Sequence, residues 1–150
     1  MRGSNWIKKV RLNITAFFKK EDGATAIEFA LVSVVFLAFV FGIMETGRIM
    51  WTYNGVEYAI ENAARFALVN SDAATDDIIA VATESLDDMH LSQDPFSAEV
   101  SFTQDADGAN YIEITGSYQY TALITAFLPP SLSSFTLSAE VQRPIDWVTE

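Results

Sequence analysis

Gly23-Ala24-Thr25-Ala26-Ile27-Glu28-Phe29 is the stretch on which the reading of this chain turns. It sets one carboxylate five residues past a glycine, at the head of an apolar run that continues to Met44. An ionised side chain inside a membrane span costs about 2.5–3.5 kcal/mol on insertion scales, so Glu28 needs a reason. With the chain intact, Glu28 is a hydrated flank two turns beyond Lys19 and Lys20. With the chain cut after Gly23, a new ammonium stands at Ala24, one helical turn before the carboxylate. Among parallel helices the carboxylate of one subunit then meets the ammonium of its neighbour. Unit charges 4 Å apart attract by about 4 kcal/mol at an effective dielectric of 20, enough to fix axial register.

Outward from this segment, the charge is lopsided. Before Ala24 stand six bases (Arg2, Lys8, Lys9, Arg11, Lys19, Lys20) against Glu21 and Asp22; the rest carries 18 acids and three arginines. Basic residues beside an apolar span stay on the cytoplasmic side, which predicts an inner N-terminus and export from Glu45 onward. The acidic exported part argues against nucleic-acid binding. Zero cysteines among 150 residues leave the redox compartment open. Ala24–Met44 makes about 31 Å of helix, the thickness of the hydrocarbon layer. The run ends in Glu45-Thr46-Gly47-Arg48 without a small-x-small cleavage site, so it stays in the product rather than leaving as a signal peptide. Arg48 and Trp51 suit the outer membrane interface. Residues 1–23 place Trp6, Val10, Ile14 and Phe17 at helical spacing among lysines and arginines. That pattern fits a helix lying on the anionic leaflet, or a positive flank that only sets topology.

The helical period continues past the span. Ile49, Tyr53, Val56, Ile60, Ala63 and Ala67 form one stripe, and Glu61 and Arg65 stand at i,i+4. No proline interrupts Ala24–Asn70, although Gly47 and Gly55 are places where a bend is affordable. Asn70-Ser71-Asp72 stops this helix, and Thr75-Asp76-Asp77 starts a second that fades at His90. The period then changes to two. Ala98, Val100 and Phe102 alternate with polar residues, as do Ile112, Ile114, Gly116, Tyr118 and Tyr120 after the turn Asp105–Gly108. An apolar connection containing Pro129-Pro130 leads to a third alternating run, Phe135, Leu137, Ala139 and Val141. The expected fold is α+β: a long N-terminal helix, a short second helix and a three-stranded antiparallel sheet. Its core should bring Val100, Phe102, Ile112, Ile114, Leu137 and Val141 against Ile60, Ala63 and Ala67. The domains are then a leader, 1–23, a span, 24–44, and an exported domain, 45–150, that includes the long helix to about residue 70.

Catalysis finds little support. His90 is the single histidine and sits at a helix end, and Asp76-Asp77 and Asp87-Asp88 read as caps and solvated surface. No enzyme activity, cofactor or small-molecule substrate is expected. Asp105, Asp107 and Asn110 around Gly108 resemble part of a calcium loop but lack its full spacing, and a hairpin turn explains the same letters. Gly42 and Gly47 miss the four-residue spacing of a close helix dimer, and Ser33 can bond its own helix.

Three segments resemble the TadE-like proteins of the Tad (Flp) pilus system and, more loosely, type IV prepilins. They are G-A-T-A-I-E-F-A-L-V at Gly23–Val32, G-I-M-E-T-G-R at Gly42–Arg48 and E-Y-A-I-E-N-A-A-R-F-A at Glu57–Ala67. Where the family often carries a proline soon after E-F-A-L, this chain has Val34. The resemblance implies a pilin-like minor pilin or pseudopilin, made as a precursor in the bacterial inner membrane. A prepilin peptidase is then expected to cut between Gly23 and Ala24, with Glu28 as the assembly carboxylate. Other pilins, pilus assembly proteins and the membrane are the implied partners, in support of adhesion, biofilm formation or secretion. The alternative from a different class is an unprocessed single-pass protein whose outer domain binds a ligand or partner.

Overall fold

A computed structural model describes residues 21–123, 129 and 133–146. The basic leader through Lys20, including Trp6, Val10, Ile14 and Phe17, lies outside the described residues, as does Pro130. The chain divides into two compact units, Met1–Met44 and Glu45–Glu150. Helix α1 spans Glu21–Val69 and α2 spans Thr75–Asp88; strands β1 (Phe96–Gln104), β2 (Asn110–Thr121) and β3 (Ser134–Ile145) follow. The expected α+β architecture is therefore the observed one.

In the first unit, α1 buries almost nothing. Phe29, Leu31, Val32, Val34, Phe36, Phe39 and Ile43 are all exposed. By length and composition this helix is able to cross a membrane. A helix apolar on every side finds no favourable place in water, and its burial must come from lipid or from other helices.

The second unit has one core. β2 is the central strand, antiparallel to both neighbours, with Ile114 opposite Val100 on one side and Val141 on the other. Ile112, Ile114, Gly116, Tyr118 and Tyr120 all turn one way, onto α1, because alternate side chains in a strand share a face. From α1 they meet Val56, Ala59, Ile60, Ala63, Ala64 and Ala67, and from α2 Ile78, Ala82 and Leu86 complete the cluster. The small alanines let backbone approach backbone. Gly116 takes this furthest: a Cβ there would come within 2.6 Å of Ile60 Cγ2 and 3.2 Å of Val56 Cγ1.

The continuous helix expected through Gly47 and Gly55 is the one observed, and Gly55 is buried where a Cβ would collide with Leu91. Several other expectations are corrected in detail. Tyr53 is exposed and Thr52 takes its place in the buried stripe. Both lie near the core-facing line of a 3.6-residue repeat, and the bulky phenol keeps to the solvent side. Phe102 is 39% exposed, since β1 is an edge strand whose cover fades toward the hairpin, while Val100 and Leu137 are half-buried against the core. The cap of α2 is Ala74 rather than Thr75; the Asp77 carboxylate reaches back to accept the Ala74 N–H at 3.2 Å. At the other end, His90 (φ 57°) turns the chain in the left-handed region. The Leu91 and His90 N–H groups donate to the carbonyls of Leu86 and Asp87, which closes the helix and delivers Leu91 to Gly55.

Candidate functional site

The segment singled out by sequence lies at the start of α1. Gly23 and Ala24 have helical backbone, Gly23 half-buried and Ala24 exposed. Glu28 follows one turn later, also exposed, and among the described residues no hydrogen bond or ion pair reaches it. Its neighbours one turn on, Leu31 and Val32, are apolar and exposed. Ser33 is satisfied within its own helix, donating to the Ala30 carbonyl at 2.9 Å. Glu28 is thus a carboxylate on an otherwise greasy helix, with its bonding capacity unused among the described residues.

A second polar centre, missed in the sequence, stands where the apolar run ends. Glu45 is buried at the foot of the second unit. One of its oxygens accepts the Tyr120 hydroxyl at 2.6 Å; both accept the Leu123 N–H, at 3.3 and 3.4 Å, and Arg48 Nη1 at 3.3 Å. The Arg48 guanidinium also lies 5.3 Å from the centre of the Tyr120 ring, which stacks at a tilt on Phe135. A buried carboxylate is tolerated only when charged and polar partners replace its water, and here three do. The signal was present. Glu45, Ile49, Thr52 and Val56 step by four, three and four, so Glu45 extends the core stripe backwards by one turn. Arg48, assigned by sequence to the membrane interface, is half-exposed and tied to Glu45; Trp51, assigned likewise, is 55% exposed.

Burial, reinforced by the hydrogen bond to Glu45 and opposed by Arg48, pushes the Tyr120 hydroxyl up from 10.0 to about 12. The neutral phenol is therefore the form that the fold favours. Its contribution to stability is complete below pH 10 and is lost as pH rises from 10 to about 12, because the unfolded chain releases this proton first. Spectrophotometric titration of tyrosinate should show a step near pH 12, and Tyr120→Phe should remove it. An absorbance curve unchanged by the substitution would place the late-titrating phenol elsewhere.

Farther along α1, Glu61 binds Arg65 at 3.4 Å, as its i,i+4 spacing predicts, and takes a shorter contact from Arg143 of β3 at 2.7 Å. The Arg143 hydrogen bond, opposed by partial burial and helped by Arg65, holds the Glu61 carboxyl below its ordinary value. In the β1–β2 turn, Asp105 Oδ1 accepts the N–H groups of Asp107 and Ala109, and its other oxygen takes the Tyr111 hydroxyl. Gly108 supplies the positive φ of 86° that the turn requires. The carboxylate that suggested calcium is thus occupied in building the turn. Among the described residues, no three His, Cys, Asp or Glu side chains converge as metal ligands. His90 is exposed, its ring beside the Asp88 carbonyl, and no nucleophile is paired with it among the described residues.

Residues 23–65 match the family model described as TadE-like protein. No curated protein and no solved structure matches the chain.

Proposed function

We propose that this chain, TadE-like over residues 23–65, is a minor pilin or pseudopilin of a Tad (Flp) pilus. The match over residues 23–65 supports the coarser part of that reading, a Tad pilus-related protein. An apolar N-terminal helix together with that family fits a membrane-anchored protein. The finer part is our reading. Residues 1–23 form a cytoplasmic leader, 24–44 cross the inner membrane, and 45–150 are exported. A prepilin peptidase removes the leader between Gly23 and Ala24, and the mature subunit joins or primes a pilus with other pilins and assembly proteins.

One observation carries this reading. The match begins at Gly23 and runs through the very stretch of α1 whose apolar side chains are left uncovered in the protomer. An assembly of parallel helices gives those side chains neighbours and gives Glu28 a cation. The test is N-terminal sequencing of the protein made alongside its own peptidase. The expected mature chain begins at Ala24, and replacing Gly23 by a bulky residue should leave only the precursor, 23 residues longer. Glycine presents its backbone to a protease without a side chain in the way. A wild-type membrane form that retains Met1 would favour an unprocessed single-pass protein instead.

A further inference from the structure

The two edges of the sheet differ. α2 lies beside β1. β3 ends the strand order on the other side, and among the described residues no backbone hydrogen bond reaches its outer edge. Two observations fix the phase of that edge. The Ala122 N–H donates to the Ser133 carbonyl at 2.9 Å, in the register that pairs β2 with β3. Bonding to β2 therefore falls on the odd-numbered residues of β3, and the even-numbered ones aim N–H and C=O outward. Pro144, which has no N–H to offer, is even-numbered and leaves the ladder whole. The other outward residues, Ser134, Thr136, Ser138, Glu140 and Gln142, are all exposed. Unpaired edges are commonly guarded by lysine, proline or other charges. Ser134–Ala139 carries none of these, in a unit that is otherwise strongly acidic.

We propose that this edge pairs with the same edge of a second copy of the chain, antiparallel about a twofold axis at Ser138. The edge is its own complement in that register. Two such strands keep their apolar faces on one side only when odd residues meet odd and even meet even. Hydrogen bonding then requires the axis to pass through an even-numbered residue, since only those aim outward. Centring on Glu140 sets two carboxylates against each other, and centring on Gln142 sets Pro144 opposite Glu140 with a donor missing. Centring on Thr136 leaves Glu140 and Gln142 beyond the start of the other strand at Ser134. Centring on Ser138 avoids all three and uses the whole of Ser134–Gln142. Phe135 of each copy, 37% exposed, then lies opposite Val141 of the other, and Leu137 opposite Ala139, large against small. The two β2 strands stand three strand spacings apart, about 14 Å. Helices pack at about 8–10 Å, so the α1 segments lying over β2 do not collide. The pairing rests on the second unit alone. Its twofold reverses α1 together with β3, so copies whose α1 helices run parallel in one assembly cannot make it. It joins copies carried by two assemblies that face each other.

The chain has no cysteine, so single introduced ones read the register. In a hydrogen-bonded antiparallel pair the Cα atoms stand about 5.5 Å apart, inside the about 4.4–6.8 Å range of a disulfide. The full chain in detergent, carrying Ser138→Cys, Thr136→Cys, Glu140→Cys or Ser97→Cys singly, is oxidised with copper phenanthroline, and the linked dimer is measured on a non-reducing gel. All four side chains are exposed, so the cysteines leave the core intact. Thr136 and Glu140 each lie four residues, about 14 Å, along the strand from their own counterparts, too far to bridge. Ser97, on the exposed face of β1, reports encounters through the other edge. Ser138→Cys is expected to link at least about fivefold more than the other three. Ser138→Lys in the cysteine-free chain sets two ammonium groups against each other at the axis and should shift dimer to monomer in sedimentation. Equal linking at all four positions means random collision and overturns the pairing. A maximum at Ser97→Cys overturns it in favour of the β1 edge. A chain that stays monomeric, with no link at Ser138→Cys, overturns it and leaves the β3 edge to a different protein.

Discussion

Ile114→Ala is expected to lower the unfolding free energy by about 2–5 kcal/mol, the range for emptying a large aliphatic site in a core. Ile114 is 1% exposed, in the middle of the central strand, with Val100 and Val141 opposite it on either side. The cavity has little room to collapse. Gly116, on the same face of β2, already sits as close to Ile60 and Val56 of α1 as a strand without a Cβ can. The helix rows facing it include Ala59 and Ala63, whose side chains are too short to swing into the gap. Urea unfolding should show a lower midpoint at unchanged slope. Phe102→Ala provides the contrast: that ring is larger but 39% exposed, and it should cost less. A loss at Ile114 within about 0.5 kcal/mol, the scale of surface substitutions, would mean that the sheet is not packed on α1 as described.

Glu28→Gln is expected to leave insertion, cutting and the folded domain intact while sharply reducing recruitment into pili. The substitution keeps shape and part of the hydrogen bonding and removes the charge, so it isolates the electrostatic contribution. Glu28 belongs to the first unit and touches none of the core residues of the second, so domain stability should not move. In the assembly proposed above, its partner would be the ammonium at Ala24 of a neighbouring chain. Surrounded by hydrocarbon, that attraction exceeds the about 1 kcal/mol typical of exposed ion pairs. Glu28→Asp should restore function only in part, being one methylene shorter. The measurement is the amount of processed protein co-purifying with pilus components, beside a count of surface pili. Wild-type values for Glu28→Gln would dismiss the ammonium–carboxylate pairing and return Glu28 to a hydrated flank.

Period alone made most of the fold legible. The 3.6-residue recurrence from Ile49 to Ala67 marked the core side of α1, and the alternation from Ile112 to Tyr120 marked that of β2, because each pattern reports which side chains share a face. What period cannot carry is distance across the fold. Nothing local says that Tyr120 returns to Glu45, 75 residues earlier, or that Arg143 joins Arg65 on Glu61, so both cross-connections stayed hidden. Phe102 and Tyr53 misled for a related reason. Hydrophobicity scores a residue's appetite for burial, whereas edge position and helix phase decide whether anything is there to cover it. At the start of α1 the situation is reversed. Glu28 was conspicuous in sequence because it violates its surroundings, and the described residues supply no partner that would absorb the violation.

The contacts along α1 occur in an order that bears on load. Glu45 meets Tyr120 and Leu123, Val56 and Ile60 meet Gly116, and Glu61 meets Arg143, which pairs with Ile112. Residue numbers rise along the helix as they fall along β2, so the two elements lie side by side and antiparallel over the whole sheet. A tensile force entering through the helix at Glu45 and leaving through the Asn110 end of β2 would therefore be shared by these attachments at once, as shear, instead of opening them one after another like a zip. If the proposed function holds and the chain sits in a fibre, a pull applied through its N-terminal helix would load the domain in this way.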